Sequence, residues 1–310
     1  MSHARRRAGV CDLRSRMCRI WLFSRPAAQP VLFTNMKDLE GTALGKIVSR
    51  RRLKIEQSKN SFPLARLSAA AEGRGEVRNF KEALRGENPG IIAELKKASP
   101  SRGLLRTDYR CQEIALQYER ACATALSVLT EEEFFLGSLD DLEKVRVVTR
   151  LPLLRKDFIL DAYQVYESVA HGADALLLIV AALSKENLAS LLQLAGALRI
   201  TALVEVHTEE EIASALEAGA SVIGVNNRDL KTLEVSLETS FRLVEKIPPD
   251  CLKISESGIK SPSDLIALYK AGFDAVLIGE HFMMQQEPGT ALADLLEGVK
   301  AADERSGLRS

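Results

Sequence analysis

Glu94 and Lys96 lie two residues apart in the run Ile91-Ile-Ala-Glu-Leu-Lys-Lys-Ala-Ser-Pro-Ser-Arg-Gly103. On a strand that spacing puts both side chains on one side. Burying either charge unpaired costs several kcal/mol, so the strand either ends at a polar opening or pairs them. Ser99-Pro100-Ser101-Arg102-Gly103 then reads as a loop. Similar charges close later apolar runs: Thr130-Glu131, Arg155-Lys156-Asp157, Glu205, Asn226-Asn227-Arg228-Asp229, Glu256-Ser257-Gly258 and Gly279-Glu280. Acids and bases gathered at one opening suit general acid–base catalysis, which supplies roughly 10²–10⁴-fold. Positive neighbours or desolvation would lower a lysine from its reference near 10.4 toward a useful acid. Glu94 and Glu205, brought together, are expected to have raised pKa values and to share proton duties. Gly258 and Gly279 let backbone N–H groups approach an anion such as phosphate.

These residues need a scaffold that brings distant strand ends together. From Gly90 onward, eight short apolar runs predict strands at 91–95, 124–129, 152–156, 174–180, 201–206, 221–226, 251–256 and 274–279. Amphipathic stretches centred on 109–121, 138–149, 160–171, 184–197, 208–218, 236–246, 261–271 and 289–302 predict the helices between and after them. Ser138, Thr208 and Ser261 stand as N-caps, and Gly172, Gly219 and Gly272 as helix-end glycines. Near-continuous apolar strands alternating with helices mean a parallel sheet covered by helices. Eight such units fit a (β/α)8 TIM barrel, whose usual size is about 250 residues. A doubly wound open sheet normally has fewer strands, and the chain carries neither GxGxxG nor a Walker loop.

Before the barrel, residues 39–57 and the stretch after Pro63 predict an N-terminal helical extension. Leu44, Ile47, Val48, Leu53 and Ile55 are read as the apolar stripe of the first helix, and Arg50-Arg51-Arg52 as a solvated face. Residues 1–35 carry seven Arg and one Asp, and are read as a disordered basic tail, or as the product of a start assigned upstream of Met36, rather than as a transit peptide. Residues 36–310 are taken as one unit, with the barrel proper from about 90.

The chain of 310 residues is 46% hydrophobic and 27% charged with a formal net charge of +0, which suits one large globular domain. Since the first 35 residues are strongly basic, the remainder is mildly acidic, and this argues against a nucleic-acid surface. No apolar run reaches the roughly 18 residues of a membrane span. Cys11, Cys18, Cys111, Cys122 and Cys251 are odd in number, form no CxxC and read as reduced cytosolic thiols. His3, His171, His207 and His281 show no zinc spacing, and Glu131-Glu132-Glu133 reads as a solvated loop rather than a metal cluster.

From about residue 40 to its C-terminus the chain resembles the indole-3-glycerol phosphate synthase family. The resemblance rests on long motifs in order: IIAELKKASPSRG, SVLTEEEFFLGS, LPLLRKDFILDAYQVYE, GADALLLIV, LVEVHTEEE, IGVNNRDLKTLEV, ISESGI and VLIGEHFM. It implies a cytoplasmic enzyme of tryptophan biosynthesis, a monomer or weak homo-oligomer, with no metal or organic cofactor and no nucleic-acid or membrane partner. Its substrate would be a sugar phosphate, 1-(2-carboxyphenylamino)-1-deoxyribulose 5-phosphate, closed to indole-3-glycerol phosphate with loss of carbon dioxide and water. By family roles Lys156 would be the general acid of ring closure. Lys96 would hold the substrate's anionic groups, and Glu94 and Glu205 would handle the other proton transfers. Asn226 and Ser257 would position the substrate, with Arg228 close by. Gly258, Gly279 and Glu280 would hold the phosphate through backbone N–H groups. Phe135, Phe158, Leu177 and Leu203 would line the anthranilate ring pocket, and Ser99 would join the binding set.

His281 and Phe282 stand where the family often has Ser-Leu, and no fused isomerase domain is expected. Two other readings fit less well. Phosphoribosylanthranilate isomerase would need Cys and Asp where this chain has Glu94 or Lys96 and Asn226. A catalytically dead binding module would not keep all of Glu94, Lys96, Lys156 and Glu205.

Overall fold

The computed structural model describes residues 41–86 and 89–306. The basic segment 1–35, and the tail and start-site readings attached to it, lie outside the described residues. Eight strands form the barrel: β1 (Gly90–Leu95), β2 (Ala125–Leu129), β3 (Leu153–Lys156), β4 (Ala175–Ile179), β5 (Thr201–Val206), β6 (Val222–Asn226), β7 (Leu252–Glu256) and β8 (Ala275–Ile278). Each pairs in parallel with the next, and β8 returns to β1, so the sheet closes. Among the described residues twelve α-helices accompany them: α1 (Ala43–Ser61), α2 (Leu64–Glu72), α3 (Phe80–Ala83), α4 (Cys111–Arg120), α5 (Leu139–Val148), α6 (Ala162–Ala170), α7 (Lys185–Ala197), α8 (Glu209–Glu217), α9 (Glu238–Leu243), α10 (Pro262–Lys270), α11 (Glu280–Met283) and α12 (Pro288–Ser306).

The strands are buried along their whole length in β1, β2, β4, β6 and β8. That explains their unbroken apolar composition: one side faces the barrel interior and the other faces helices. Alternation then decides what each residue sees. On β1, Glu94 points inward while Ala93 and Leu95, with exposures of 0%, belong to the hydrophobic core.

Helix boundaries follow local chemistry. The Ser138, Thr208 and Ser261 side chains accept the N–H groups of Asp141, Glu211 and Asp264, and Asp264 reciprocates to complete a capping box. Gly172, Gly219 and Gly272 adopt φ values of 85, 90 and 104°, the left-handed turn out of a helix that costs glycine nothing. The stretch 236–246 is shorter as an α-helix than its sequence predicts, because α9 tightens into a 3₁₀ turn at Val244–Lys246. A two-residue antiparallel pair, Ala98–Ser99 with Gly103–Leu104, folds the loop after β1 back on itself.

Two expectations for α1 change. Leu44, Ile47, Val48, Arg51 and Ile55 form the buried face, whereas Leu53 is 60% exposed. Leu53 lies two positions past Arg51 and so roughly 200° around the helix. Arg51 is therefore not solvated: it donates to the Asp157 carboxylate and to Thr130 O at 3.5 Å. Lys59 Nζ reaches Asp161 Oδ2 at 2.8 Å, and Tyr163 donates its hydroxyl to Phe62 O at 3.1 Å. The extension is thus tied to the segment that follows β3.

Candidate active site

The C-terminal ends of the strands surround a cavity of about 880 Å³. Its floor is a cluster of charges from four strands. Lys156 Nζ, at the end of β3, donates to Glu205 Oε2 of β5 at 2.8 Å and to Glu256 Oε2 of β7 at 2.6 Å. Asn226 Nδ2, at the end of β6, donates to Glu205 Oε1 at 3.1 Å. On the β1 side, Lys96 Nζ pairs with Glu94 Oε2 at 2.7 Å. All five carboxylate and lysine partners are largely shielded from solvent, so their charges act through less water than a surface pair would.

Two glycines make the floor possible. A Cβ on Gly224 would overlap Glu256 Oε1, and one on Gly279 would overlap Glu94 Oε2. Neither glycine has a positive φ, so the requirement is space for a carboxylate.

The electrostatics differ from the sequence expectation. Burial alone would lower the Lys156 pKa, but Glu205, Glu256 and Glu94 together raise it above the ordinary lysine value. Burial would raise Glu205, yet Lys156, His207 and Asn226 hold it below the ordinary glutamate value. The raised carboxyl is Glu256 instead. Burial pushes it up to about 7, with Lys156 opposing and Glu205 and Glu94 reinforcing the rise. The reason is partner count: Glu205 has donors on both oxygens, whereas Glu256 Oε1 is buried with no hydrogen-bond partner.

One wall of the cavity is apolar. Phe135 and Phe158 approach with ring centroids 6.2 Å apart, and Leu177 joins them at the cavity surface. Phe135 is placed by Glu131, which is buried rather than solvated; its carboxylate accepts the N–H groups of Glu133, Phe134 and Phe135. Glu132 and Glu133 alone fit the solvated reading, with Lys54 and Arg50 as their partners. Phe158 follows Asp157, a buried carboxylate gripped by Arg51, Arg155 and Thr130. Burial would raise the Asp157 pKa, but the two guanidinium groups bring it down to about 2. Arg155 itself turns away from the cavity, toward Ser168 and Glu167 of α6.

The opposite end is cationic and glycine-rich. Ser257 and Gly258 have φ values of 68 and 85°, which turns the backbone sharply at the end of β7. Arg228 reaches over this end, donating Nη2 to Glu280 Oε2 at 2.9 Å and Nη1 to Ser101 Oγ at 3.2 Å. Arg102 Nε donates to the other oxygen of Glu280 at 3.1 Å. The Glu280 side chain thus occupies two arginines, a contact that a reading through its backbone alone did not include.

Glu94, Lys96, Lys156, Glu205, Asn226, Arg228, Ser257, Gly258, Gly279 and Glu280 all line the one cavity, with Phe135, Phe158 and Leu177. Two candidates do not. Ser99 is buried in the loop pair, its hydroxyl 3.4 Å from Ser101 Oγ. Leu203 is fully buried one interior layer below Glu205. Glu256 is the residue the candidate set lacked, although its strand end was already conspicuous. No cluster of three or more His, Cys, Asp or Glu suited to a metal occurs among the described residues.

A closed barrel whose strand ends bring acids, lysines, an aromatic wall and a cationic glycine-rich end to one cavity has the architecture of a (β/α)8 enzyme. Solved barrels share the fold alone. Thiamine phosphate pyrophosphorylase from Pyrococcus furiosus is 17% identical with a TM-score of 0.51, covering 68% of this chain and 96% of that one. KGPDC from Streptococcus mutans is 13% identical with a TM-score of 0.55, covering 69% and 99%. Sequence relatives are much nearer. Indole-3-glycerol phosphate synthase of Alkaliphilus metalliredigens (strain QYMF) is 45% identical over 257 residues, 83% of this chain and 98% of that protein. Its namesakes of Polaromonas naphthalenivorans (strain CJ2) and Mycolicibacterium gilvum (strain PYR-GCK) are 47% and 48% identical, over 81% and 82% of this chain and 97% and 94% of theirs. The family model described as indole-3-glycerol phosphate synthase matches residues 44–295, and the chain belongs to that family. It is accordingly a lyase of tryptophan biosynthesis. No helix among the described residues is long and apolar enough to cross a membrane.

Proposed function

We propose that this cavity binds 1-(2-carboxyphenylamino)-1-deoxyribulose 5-phosphate with its aromatic ring against Phe135, Phe158 and Leu177 and its phosphate at the Gly258, Gly279 and Arg228 end. The substrate's polarity supports that orientation, since the apolar residues lie on or after β2–β4 and the cationic end follows β6–β8, in different arcs of the closed ring. At the phosphate, Gly258 and the Gly279–Glu280 backbone supply N–H groups while Arg228 supplies charge. Lys96 holds the substrate carboxylate, and Asn226 and Ser257 fix the ketose hydroxyls.

Ring closure joins the carboxylate-bearing aromatic carbon to the ketose carbonyl carbon. The carbonyl oxygen becomes an alkoxide, and Lys156 donates a proton to it. The raised pKa of Lys156 is no obstacle, because a nascent alkoxide is a stronger base than a lysine amine. Loss of carbon dioxide then leaves its electron pair in the ring and restores aromaticity. Dehydration follows: the new hydroxyl leaves as water while the neighbouring carbon gives up a proton. Glu205, held ionised, takes that proton. Glu256, poised near neutrality, donates to the leaving hydroxyl, and Glu94 with Lys96 completes the proton transfers on the other side.

The single observation carrying this reading is the Lys156 ammonium shared between Glu205 and Glu256 on the floor of the cavity. It is tested by appearance of indole fluorescence together with carbon dioxide release from that substrate. The same reading takes residues 36–310 as one catalytic unit. It also extends to a cytoplasmic enzyme that is a monomer or weak homo-oligomer, with no nucleic-acid partner, which the mildly acidic character of the chain beyond residue 35 supports.

A further inference from the structure

His207 stands beside the acid–base cluster without a part in the steps above. Its side chain is 14% exposed and follows β5 directly. Nε2 lies 3.5 Å from Glu205 Oε1, within ion-pair distance, and that buried nitrogen has no hydrogen-bond partner. The opposite edge of the ring is anchored. Glu211 Oε2 lies 3.2 Å from Nδ1 and accepts the His207 backbone N–H at 2.6 Å. Glu211 is itself fixed at the start of α8, where its N–H donates to the Thr208 N-cap hydroxyl at 3.2 Å. One imidazole therefore spans a helix-terminal carboxylate and a carboxylate of the cavity floor.

Elementary histidine chemistry decides the protonation state of this bridge. A neutral ring that donates from Nδ1 to Glu211 presents a lone pair on Nε2, which would repel the Glu205 anion. Only the imidazolium offers N–H to both carboxylates. The other groups around the ring agree. Besides Glu205 of its own strand and Glu211 of α8, it feels Glu256 of β7 and lies close enough to Asp229, after β6, to act on that carboxylate. Lys156 sits on the far oxygen of Glu205, the one His207 does not approach.

We propose that His207, anchored by Glu211, is a positioning residue: a fixed imidazolium that keeps Glu205 ionised and aimed, so that the exchangeable proton of the site resides on Glu256. The assignment rests on the reading of Glu205 as the base of the dehydration. The direction of the pKa shifts agrees with the geometry. Burial would lower His207, but Glu211, Glu205 and Glu256 raise it above the ordinary histidine value. Glu205 moves the opposite way, with His207 among the causes.

Linkage makes the coupling reciprocal, which gives a test from each side. In a full-length chain carrying ¹³C-labelled histidine, NMR titration of His207 should show its pKa falling by about one unit in Glu205→Gln and again in Glu211→Gln. Glutamine preserves the helix cap at position 211, so the second variant keeps the fold if the first does not. In His207→Gln, which retains a donor but no charge, the acidic limb of the kcat profile should move up by about one pH unit with KM unchanged. A His207 titration unmoved by both substitutions would overturn the proposal. So would an acidic limb that stays in place while kcat falls uniformly. The titration needs no turnover, so a chain inactive on the ketose phosphate would count against the proposed reaction while the NMR still decides the His207–Glu205 coupling.

Discussion

Glu256 Oε2 accepts the Lys156 ammonium at 2.6 Å, while Glu256 Oε1 is buried with no hydrogen-bond partner. Half of that carboxylate is stabilised by a cation and half is not, which is why burial succeeds in raising Glu256 to about 7 from its ordinary value of 4.5. The folded chain therefore holds a proton that the unfolded chain releases. This contribution to stability is complete below the unfolded value and is lost as pH rises through about 7. Glu256→Gln removes the titration. Its stability relative to the parent chain should improve between about pH 5 and pH 8, by up to about 3 kcal/mol, as measured by urea unfolding at each pH. A gap independent of pH would mean that Glu256 is already ionised throughout.

Lys156 donates to both Glu205 and Glu256 on the cavity floor. Replacing it with alanine removes the proposed acid of ring closure. Turnover should fall about a hundredfold or more, with the far-ultraviolet circular dichroism unchanged. Unchanged turnover would take Lys156 out of the acid role.

Much of this arrangement could be read from the residues, and the exceptions have physical causes. The eight strands were legible because a parallel sheet buried on both faces demands unbroken apolar runs, as in Ala175–Ile179. Glu94, Lys96, Lys156 and Glu205 were legible because a charge closing such a run needs a polar outlet. Glu256 stood in plain view but was passed over as a candidate, because its significance lies in a contact with Lys156, 100 residues away in sequence. The directions of the Lys156 and Glu205 shifts failed for the same reason, since they depend on how many partners each oxygen or ammonium gains. Arg51 is a different case. Its spacing from Ile47 and Val48 already put it on the buried face of α1, and only its charge argued for solvent. What the sequence could not supply was the acceptor, Asp157, 106 residues further on.

That pair sets up a stability expectation. Asp157 is enclosed by Arg51 and Arg155, and its pKa is lowered to about 2 from an ordinary 3.8. Its contribution to stability is present above the ordinary value and is lost as pH falls toward about 2. Asp157→Asn leaves the buried Arg51 guanidinium without its anion and Arg155 with Glu167 alone, and should cost about 3–5 kcal/mol at neutral pH. Denaturant titration measures this, and a loss below about 1 kcal/mol would place the pair among surface-like ion pairs.

Glu280 accepts Arg102 and Arg228 on separate oxygens at the end proposed for phosphate. Any phosphate that engages Arg228 competes with this internal carboxylate. Glu280→Gln keeps the backbone N–H while weakening the competitor. KM should fall, by about fivefold if on the order of 1 kcal/mol is released, with kcat little changed. Steady-state kinetics decide the point, and a raised KM would instead make the carboxylate part of what holds Arg228 in place.

The most direct measurement is a progress curve with purified chain and 1-(2-carboxyphenylamino)-1-deoxyribulose 5-phosphate, reading indole fluorescence and carbon dioxide together. The expected result is equimolar appearance of both, abolished in Lys156→Ala. Absence of both signals from the folded parent chain, or carbon dioxide released without an indole, would contradict a cavity built to close the ring.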